Sequence, residues 1–194
     1  MTASTTEPTP ETVSTDPLLV IMCPGFEEME FTAPVDILRR LGISVTTAGL
    51  QSRNVEGAHG ITMRADMLLV DVDAACFSGV ILPGGPASWT LRDTPAVLKI
   101  VREMNAAGKP VAAICAAPLA LEAAGVIKGR RVTCYPSVQA DLTSATVCQE
   151  PTCTDGNIIT GKGPCAAAEF GFALGCYLGK TEEVARLRRE MCQG

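Results

Sequence analysis

The chain has 194 residues with a hydrophobic content of 47% but only 4% aromatic residues, so it can form one domain whose core is built mainly from Ala, Val, Leu and Ile. A formal net charge of −5 and a pI near 4.9 argue against a large phosphate-binding surface, and nucleic acid is not expected as a partner. No apolar run approaches the roughly 18–20 residues of a membrane span, so no membrane association is expected either.

Residues 1–17 consist largely of Thr, Ser, Pro and Glu, which predicts a disordered N-terminal tail ahead of a single domain over residues 18–194. The tail lacks the basic and apolar regions of a secretory signal and the arginines of a mitochondrial presequence, so a cytoplasmic location is expected. The chain contains nine cysteines and one histidine but no C-x-x-C motif. This pattern matches neither a disulfide scaffold nor a structural metal site, and we expect no metal and no cofactor.

Short apolar runs alternate with segments of helical spacing along the chain. Apolar runs of this length predict strands that are covered on both faces. The predicted strands are residues 18–23, 43–48, 61–65, 67–72, 79–82, 111–114, 132–135, 145–149 and 157–160, the last two forming a hairpin around Asp155-Gly156. The predicted helices are residues 27–41, 94–107, 116–124, 165–178 and 182–191.

This order predicts an α/β domain with a mostly parallel central sheet and helices on both faces. In such sheets, ligands bind at the carboxyl ends of the strands. Three unusual segments fall at predicted strand ends: residues 24–30, residues 83–85, and Cys115. We expect these segments to be neighbours in space.

Cys115 ends one predicted strand and precedes an Ala- and Leu-rich helix. A side chain at such a junction occupies a sharp turn, the nucleophile elbow, where backbone N–H groups of the following helix point towards it. A helix N-terminus stabilises negative charge, so this position favours a thiolate. The alternative is a cysteine that only packs in the core, because cysteine is among the most buried residue types.

Gly84 and Gly85 allow the backbone to approach a ligand closely, because neither has a side chain. Together with the amide of Ala116, their N–H groups are candidates for an oxyanion hole beside Cys115. The alternative is a plain Gly-Gly turn.

Glu27, Glu28 and Glu30 lie at the start of the first predicted helix. Acidic residues there complement the helix dipole, which is one sufficient reason for their presence. They are also candidates for a general acid or base near the thiol, and a carboxyl close to a thiolate should have a raised pKa. The pattern does not decide which of the three faces the thiol.

Four separated motifs, in this order, resemble the DJ-1/ThiJ/PfpI superfamily, and its DJ-1-like branch in particular. They are GFEEMEFTAPVD (25–36) with LRR (38–40), ILPGG (81–85), AAICAAP (112–118), and Gly163-Pro164 with Glu169-Phe170. The resemblance covers about residues 18–178. It implies a flavodoxin-like fold and usually a homodimer.

The resemblance also implies roles for individual residues. Cys115 matches the redox-sensitive nucleophile, and Glu30 matches the buried glutamate that hydrogen-bonds it. Gly85 and Ala116 match positions whose amides line the oxyanion site, and Pro164 is expected to line the same site. Members of the superfamily are described as glutathione-independent glyoxalases, as deglycases, and as oxidative-stress sensors or chaperones whose cysteine becomes a sulfinate.

The sequence departs from the family pattern at Tyr135-Pro136, where DJ-1-like members commonly carry His-Pro. The single histidine, His59, lies in a loop without a matching motif and is not expected to reach the site. A Cys–His dyad is therefore not expected. Tyr135 can line the site or donate a hydrogen bond, but a phenol with a reference pKa of ~10 is a poor base at neutral pH.

The leading hypothesis is a DJ-1-like enzyme that converts a small dicarbonyl or aldehyde, such as methylglyoxal or glyoxal, into a 2-hydroxy acid by means of Cys115 and Glu30. The first alternative is a non-catalytic redox sensor or chaperone controlled by oxidation of Cys115. A PfpI-type cysteine peptidase is the third reading. The sequence leaves open whether Cys134 or Cys165 pairs with Cys115, although buried structural thiols are favoured.

Overall fold

The computed structural model describes residues 16–192, so the predicted N-terminal tail falls almost entirely outside the described residues. The strands are β1 (Leu18–Met22), β2 (Val45–Gly49), β3 (Asn54–Glu56), β4 (Thr62–Arg64), β5 (Met67–Leu68), β6 (Gly79–Leu82), β7 (Val111–Ile114), β8 (Arg131–Val132), β9 (Thr146–Val147), β10 (Thr152–Asp155) and β11 (Ile158–Gly161). The α-helices are α1 (Glu28–Arg40), α2 (Ala87–Arg92), α3 (Pro95–Ala106), α4 (Pro118–Ala124), α5 (Ala167–Tyr177) and α6 (Thr181–Glu190).

Within residues 16–192, seven strands form one central sheet in the order β10-β11-β7-β6-β1-β2-β5. All neighbours in this sheet are parallel except the β10–β11 pair. Every residue of β1, β6, β7 and β11 is buried, which the continuous apolar sequences of β1, β6 and β7 predict. The predicted mostly parallel α/β sheet is confirmed.

Helices cover both faces of the sheet. On one face α1 packs on α5, and α5 on α6; on the other, α2, α3 and α4 pack together. The predicted apolar face of α1 is confirmed, because Phe31, Val35, Leu38 and Leu41 are all buried. No α-helix in the described part of the chain is long and apolar enough to cross a membrane.

The predicted hairpin has the right turn but one wrong strand. Residues 145–149 were expected to pair with 157–160, whereas β9 pairs in parallel with β8, outside the main sheet. The strand that forms the hairpin with β11 is β10, which ends at Asp155, directly before Gly156. The sequence of β10 is Thr-Cys-Thr-Asp, and an edge strand of this kind lacks the apolar run that marks a buried strand.

Two other predicted strands are shorter than expected. The segment 132–135 contributes only Val132 to β8, because Pro136 lacks a backbone N–H and begins a 3-10 helix over Pro136–Asp141. The segment 67–72 leaves the sheet after Leu68 and continues as a 3-10 turn. Two further elements, β3 and the short helix α2, are not among those predicted from the sequence.

The strand order places the three unusual segments together. Strands β7, β6 and β1 are consecutive neighbours and run parallel, so their carboxyl ends lie at one edge of the sheet. Cys115 follows β7, Gly84 and Gly85 follow β6, and the segment leading into α1 follows β1. The predicted proximity of these segments is confirmed.

Candidate active site at Cys115

Cys115 occupies the sharp turn between β7 and α4. Its φ is +64°, a left-handed conformation that non-glycine residues adopt at an energetic cost and that often marks functional positions. The conformation is held from both sides, since the Cys115 N–H donates to the Gly161 carbonyl (2.9 Å) and its carbonyl accepts from the Tyr135 N–H (2.8 Å). The predicted nucleophile elbow is confirmed by this backbone geometry.

Glu30 lies in the first turn of α1 and is fully buried. Its Oε2 accepts a hydrogen bond from the Gly84 N–H at 3.0 Å. Its Oε1 is also buried, without a partner of ordinary hydrogen-bond geometry among the described residues. A Cβ at Gly84 would overlap the Glu30 carboxyl and lie 2.5 Å from Cys115 Cβ, so the backbone can approach both residues this closely only where there is no side chain.

The Glu30 carboxyl and the Cys115 thiol influence each other's pKa. Burial raises the pKa of Glu30 to about 7, while hydrogen bonding to Cys115 and to the Gly84 amide opposes the rise. Burial, followed by the negative charge of Glu30, raises the pKa of the Cys115 thiol to about 12. The two groups therefore compete for a proton, and only one of them ionises readily.

The pKa of Cys115 is raised, whereas the sequence predicted a stabilised thiolate, which would have a lowered pKa. The physical reason is that the apolar surroundings and the Glu30 carboxylate outweigh the amides near the sulfur. When Glu30 is protonated, its charge no longer opposes thiolate formation. Because Oε2 already accepts from Gly84, the carboxyl proton belongs on Oε1, the oxygen without a partner.

Gly85 and Ala116 supply the amides that stabilise negative charge on the sulfur, and both lower the pKa of Cys115. The φ of Gly85 is +81°, and a Cβ there would lie 2.6 Å from the Glu27 nitrogen, so glycine is required. The amide of Gly84 is directed to Glu30 instead. Of the three predicted amides, two therefore serve the sulfur and one serves the acid.

A cavity of about 250 Å³ opens at the Cys115 thiol. The lining residues predicted from sequence are Glu30, Gly85, Cys115, Ala116, Tyr135 and Pro164, and the additional ones are Glu27, Pro86, Trp89 and Ser137. Trp89 belongs to the unpredicted helix α2. It is the single tryptophan of the chain and follows the Gly-Gly motif closely, which is a signal that could have identified it.

A second pocket of about 440 Å³ adjoins this cavity and shares Tyr135 and Pro164 with it. Its other walls come from the segment before β10, from the residues after β11 and from the start of α5. The other lining residues are Pro136, Gln149, Pro151, Lys162, Gly163, Cys165, Ala166 and Glu169. Tyr135, 45% exposed, therefore separates a small reactive cavity from a larger neighbouring space.

His59 lies at the other two glutamates and is absent from the lining of the cavity. Its Nδ1 is 2.9 Å from Glu28 Oε2 and 3.3 Å from Glu27 Oε2. Burial acts to raise the pKa of Glu28, but hydrogen bonds from the His59 side chain and backbone lower it to about 2. The same contact with Glu28 raises the pKa of His59. Glu30, rather than Glu28, is thus the acid at the thiol.

These three side chains also present potential metal-ligand atoms within 4.8 Å of one another. Glu28 Oε1 already accepts from the His59 N–H (2.8 Å), and Oε2 contacts the His59 ring. Hydrogen bonding and ion pairing account for the arrangement without an ion.

All nine cysteines are free thiols, so neither Cys134 nor Cys165 is bonded to Cys115. Cys134 is fully buried, and burial raises its pKa to about 11. Cys165 is exposed and lines the second pocket.

The raised pKa of Glu30 predicts a pH-dependent free energy of unfolding. The folded chain holds this proton up to about pH 7 instead of 4.5, so the stabilisation is complete below pH 4.5 and is lost as pH rises through 7. A difference of this size corresponds to about 3 kcal/mol. In urea denaturation, we expect the free energy of unfolding of wild type to fall between pH 5 and 8. The free energy of unfolding of Glu30→Gln, whose side chain stays neutral, should fall less over this range, by up to about 3 kcal/mol. Glu182→Gln, on exposed α6, should follow wild type; equal slopes for all three would contradict the prediction.

Comparison with known proteins agrees with this geometry. The sequence model of the DJ-1/PfpI family matches residues 17–175. The chain is 37% identical over 175 residues to protein dj-1beta of Drosophila melanogaster (88% of this chain, 94% of the relative), and 33% identical over 149 residues to a deglycase of Pyrococcus abyssi (76% and 90%). The crystal structure of Drosophila melanogaster DJ-1beta superimposes with a TM-score of 0.88 at 35% identity, covering 92% of this chain and 98% of that one. The four motifs, the flavodoxin-like fold and these similarities together show that the chain belongs to the DJ-1/PfpI family, in its DJ-1-like branch.

Proposed function

We propose that the protein converts a small dicarbonyl, methylglyoxal or glyoxal, into a 2-hydroxy acid without glutathione. The observation that carries the proposal is the buried pair of Cys115 and Glu30 at one cavity, a nucleophile beside a carboxyl whose pKa is about 7. A general acid–base group is most effective when its pKa lies near the working pH. The deglycase name of the Pyrococcus abyssi relative supports chemistry on carbonyl adducts.

In the first step, the Cys115 sulfur attacks the aldehyde carbon of methylglyoxal. Glu30 takes the thiol proton as the carbon–sulfur bond forms and passes it to the aldehyde oxygen, which gives a hemithioacetal and returns Glu30 to the carboxylate. The amides of Gly85 and Ala116 interact with the sulfur and lower the pKa of Cys115, so they stabilise the thiolate that carries out the attack.

In the second step, Glu30 as a carboxylate removes the proton from the former aldehyde carbon and returns it to the adjacent ketone carbon, while the hydroxyl proton of the hemithioacetal moves to the ketone oxygen. This internal transfer oxidises the first carbon and reduces the second, so no external oxidant or cofactor is consumed. The product is a thioester on Cys115. Water then cleaves the carbon–sulfur bond, which releases lactate and restores the thiol.

The size of the cavity supports a small substrate. About 250 Å³ suits a molecule with a few heavy atoms, and Trp89 and Pro164 provide apolar walls. No histidine lines this cavity, so the proton transfers in the proposal rest on Glu30. For the same reason we do not propose a peptidase, whose thiol needs a neighbouring base able to protonate an amine leaving group.

A second candidate function is redox sensing. Oxidation of Cys115 to a sulfinate places negative charge where the Gly85 and Ala116 amides act on the sulfur, and a protonated Glu30 can donate to it. We propose a role in the oxidative-stress response on this basis. Nine free thiols suit a reducing compartment, and we propose the cytoplasm as the location.

We also propose that the protein is a homodimer. Met29 and Ile61 are 56% and 54% exposed, which is unusual for large apolar side chains. They lie close together, because Met29 follows Glu28 and the Ile61 N–H points to Glu28 Oε1 at 3.4 Å. Burial of this apolar pair against a second copy would remove both side chains from water.

Lactate formation tests the enzymatic proposal. Wild type should form lactate from methylglyoxal, with a rate that rises through about pH 7 as Glu30 becomes a base. Cys115→Ala should abolish turnover and Glu30→Ala should lower it by about 10²-fold or more. Cys176→Ala, which removes an exposed thiol on α5, is the matched control and should retain the wild-type rate. No turnover by wild type, or full turnover by Glu30→Ala, would refute the proposal.

Mass spectrometry after mild peroxide treatment tests the sensor proposal. Cys115 should gain two oxygen atoms before any of the other eight cysteines gains oxygen, because the amides around its sulfur stabilise the sulfinate. Glu30→Ala should lower the yield of this product. Oxygen uptake spread evenly over the exposed cysteines would exclude a sensing role.

Sedimentation velocity tests the dimer. The full-length protein should sediment at about twice the chain mass of 20.3 kDa. Ile61→Asp should shift it towards monomer, whereas Val70→Asp, at another highly exposed apolar position, should not. A monomeric wild type at micromolar concentration is the opposing result.

A further inference from the structure

Two cysteines outside the Cys115 cavity lie side by side. Cys148 directly follows β9 and Cys153 is the second residue of β10, with four residues between them. The thiol of Cys148 is within hydrogen-bonding reach of the thiol of Cys153. Cys148 is half-buried, and Cys153 is 8% exposed.

The surrounding backbone fixes the positions of both residues. The Cys148 N–H donates to the Val132 carbonyl at 2.8 Å. The Cys153 carbonyl accepts from the Thr160 hydroxyl at 3.4 Å, and the same hydroxyl accepts from the Thr133 N–H at 2.8 Å. Cys148 is therefore anchored directly to Val132, and Cys153 is linked to the next residue, Thr133, through Thr160, so the backbone holds both cysteines beside the end of β8.

We propose that Cys148 and Cys153 form a reversible intrachain disulfide, a redox site separate from Cys115. Two thiols within hydrogen-bonding reach of each other need less displacement of the backbone to be joined than cysteines that point apart. The proposal does not depend on the enzymatic function, because neither residue lines the Cys115 cavity.

The oxidant is a hydroperoxide. The Cys148 sulfur, the more accessible of the two, attacks the peroxide oxygen, which breaks the O–O bond, gives a sulfenic acid and releases water or an alcohol. The Cys153 sulfur then displaces hydroxide from the sulfenic acid, and that hydroxide leaves as water with the Cys153 proton. In sum, two thiols and one hydroperoxide give one disulfide, one alcohol (water when the oxidant is hydrogen peroxide) and one further water.

The charges around the pair make this reaction slow at neutral pH. Burial and then hydrogen bonds to Glu150 and Cys153 raise the pKa of Cys148 to about 12. Arg131, 3.5 Å from Glu150, is the neighbouring cation and binds the carboxylate rather than the thiol. Because the thiolate is the reactive form, the pair responds to sustained peroxide and reacts faster at alkaline pH.

The disulfide would close a short ring around residues 149–152, and this ring forms a wall of the second pocket. Gln149 and Pro151 line that pocket, which shares Tyr135 with the reactive cavity. Lys162 already holds this wall in place by two hydrogen bonds. Its Nζ donates to the Gln149 carbonyl (3.0 Å), and its backbone N–H donates to the Pro151 carbonyl (2.9 Å). Oxidation of the pair would fix this wall covalently next to the site.

Peptide mapping without reductant tests the proposal. The full-length protein is treated with hydrogen peroxide at neutral and alkaline pH, alkylated, and cleaved before aspartates. Cleavage at Asp141 and Asp155 yields a fragment that contains Cys148 and Cys153 and no other cysteine. We expect this fragment to lose two hydrogen atoms, to resist alkylation at both cysteines, to lack backbone fragment ions between them, and to return to the dithiol form with dithiothreitol.

Single variants identify the partners. Cys148→Ser and Cys153→Ser should each abolish the loss of two hydrogens, while Cys176→Ser and Cys115→Ser should form the disulfide to the wild-type extent. Separate alkylation of Cys148 and Cys153 after prolonged peroxide, oxygen adducts on both, or bonding of either one to a different cysteine would overturn the proposal. Loss of the disulfide in Cys115→Ser would also overturn it, because it would make Cys115 the route of oxidation.

Discussion

The site depends on one buried contact, the acid of Glu30 against the thiol of Cys115. A carboxyl group that is fully removed from water is costly when charged, and its pKa of about 7 expresses this cost. Burial also makes ionisation of the thiol costly, and the negative charge of the acid raises the pKa of the thiol further. The pair therefore retains a proton through the neutral range, and the position of that proton decides whether the sulfur is a nucleophile, a hydrogen-bond donor or a stabilised anion.

The surrounding fold can be understood as a means of bringing these two groups together. Glu30 comes from the helix after β1, Cys115 from the turn after β7, and the Gly84 amide from the end of β6, which lies between those strands. The glycine matters because the backbone at the end of the middle strand lies close to both the acid and Cys115, where a side chain would collide with them. A parallel sheet provides this convergence without further cost, since all three strand ends lie at one edge.

The sequence predicted this arrangement well, because continuous apolar runs mark buried parallel strands and glycines mark close approaches. The residue pattern alone could not decide among Glu27, Glu28 and Glu30, because all three complement the helix dipole, and Glu30 was indicated only by the family resemblance. It also failed at β10, where an edge strand needs no apolar signature, and at α2, whose six residues are too short for a helical period. Trp89 was missed with α2. The expectation of a stabilised thiolate considered the helix N-terminus alone and left out burial and the neighbouring carboxylate, which are the larger effects.

Tyr135 stands where a histidine is common in the family, so the groups that set the acidity of the site lie at the start of α1 instead. No histidine lines the cavity, and in the proposed reaction Glu30 serves as the base; its pKa responds to the charges near the start of α1. The negative charge of Glu27 raises the pKa of Glu30. His59 stands 3.3 Å from that same Glu27 carboxylate, so a protonated imidazole offsets the charge and favours ionisation of Glu30. The single histidine therefore contacts a carboxylate that neighbours the reactive pair, although it does not line the cavity at the sulfur. The pKa of Glu30 therefore depends on the charges of α1 and of the β3–β4 segment that carries His59, rather than on the turn that carries Tyr135.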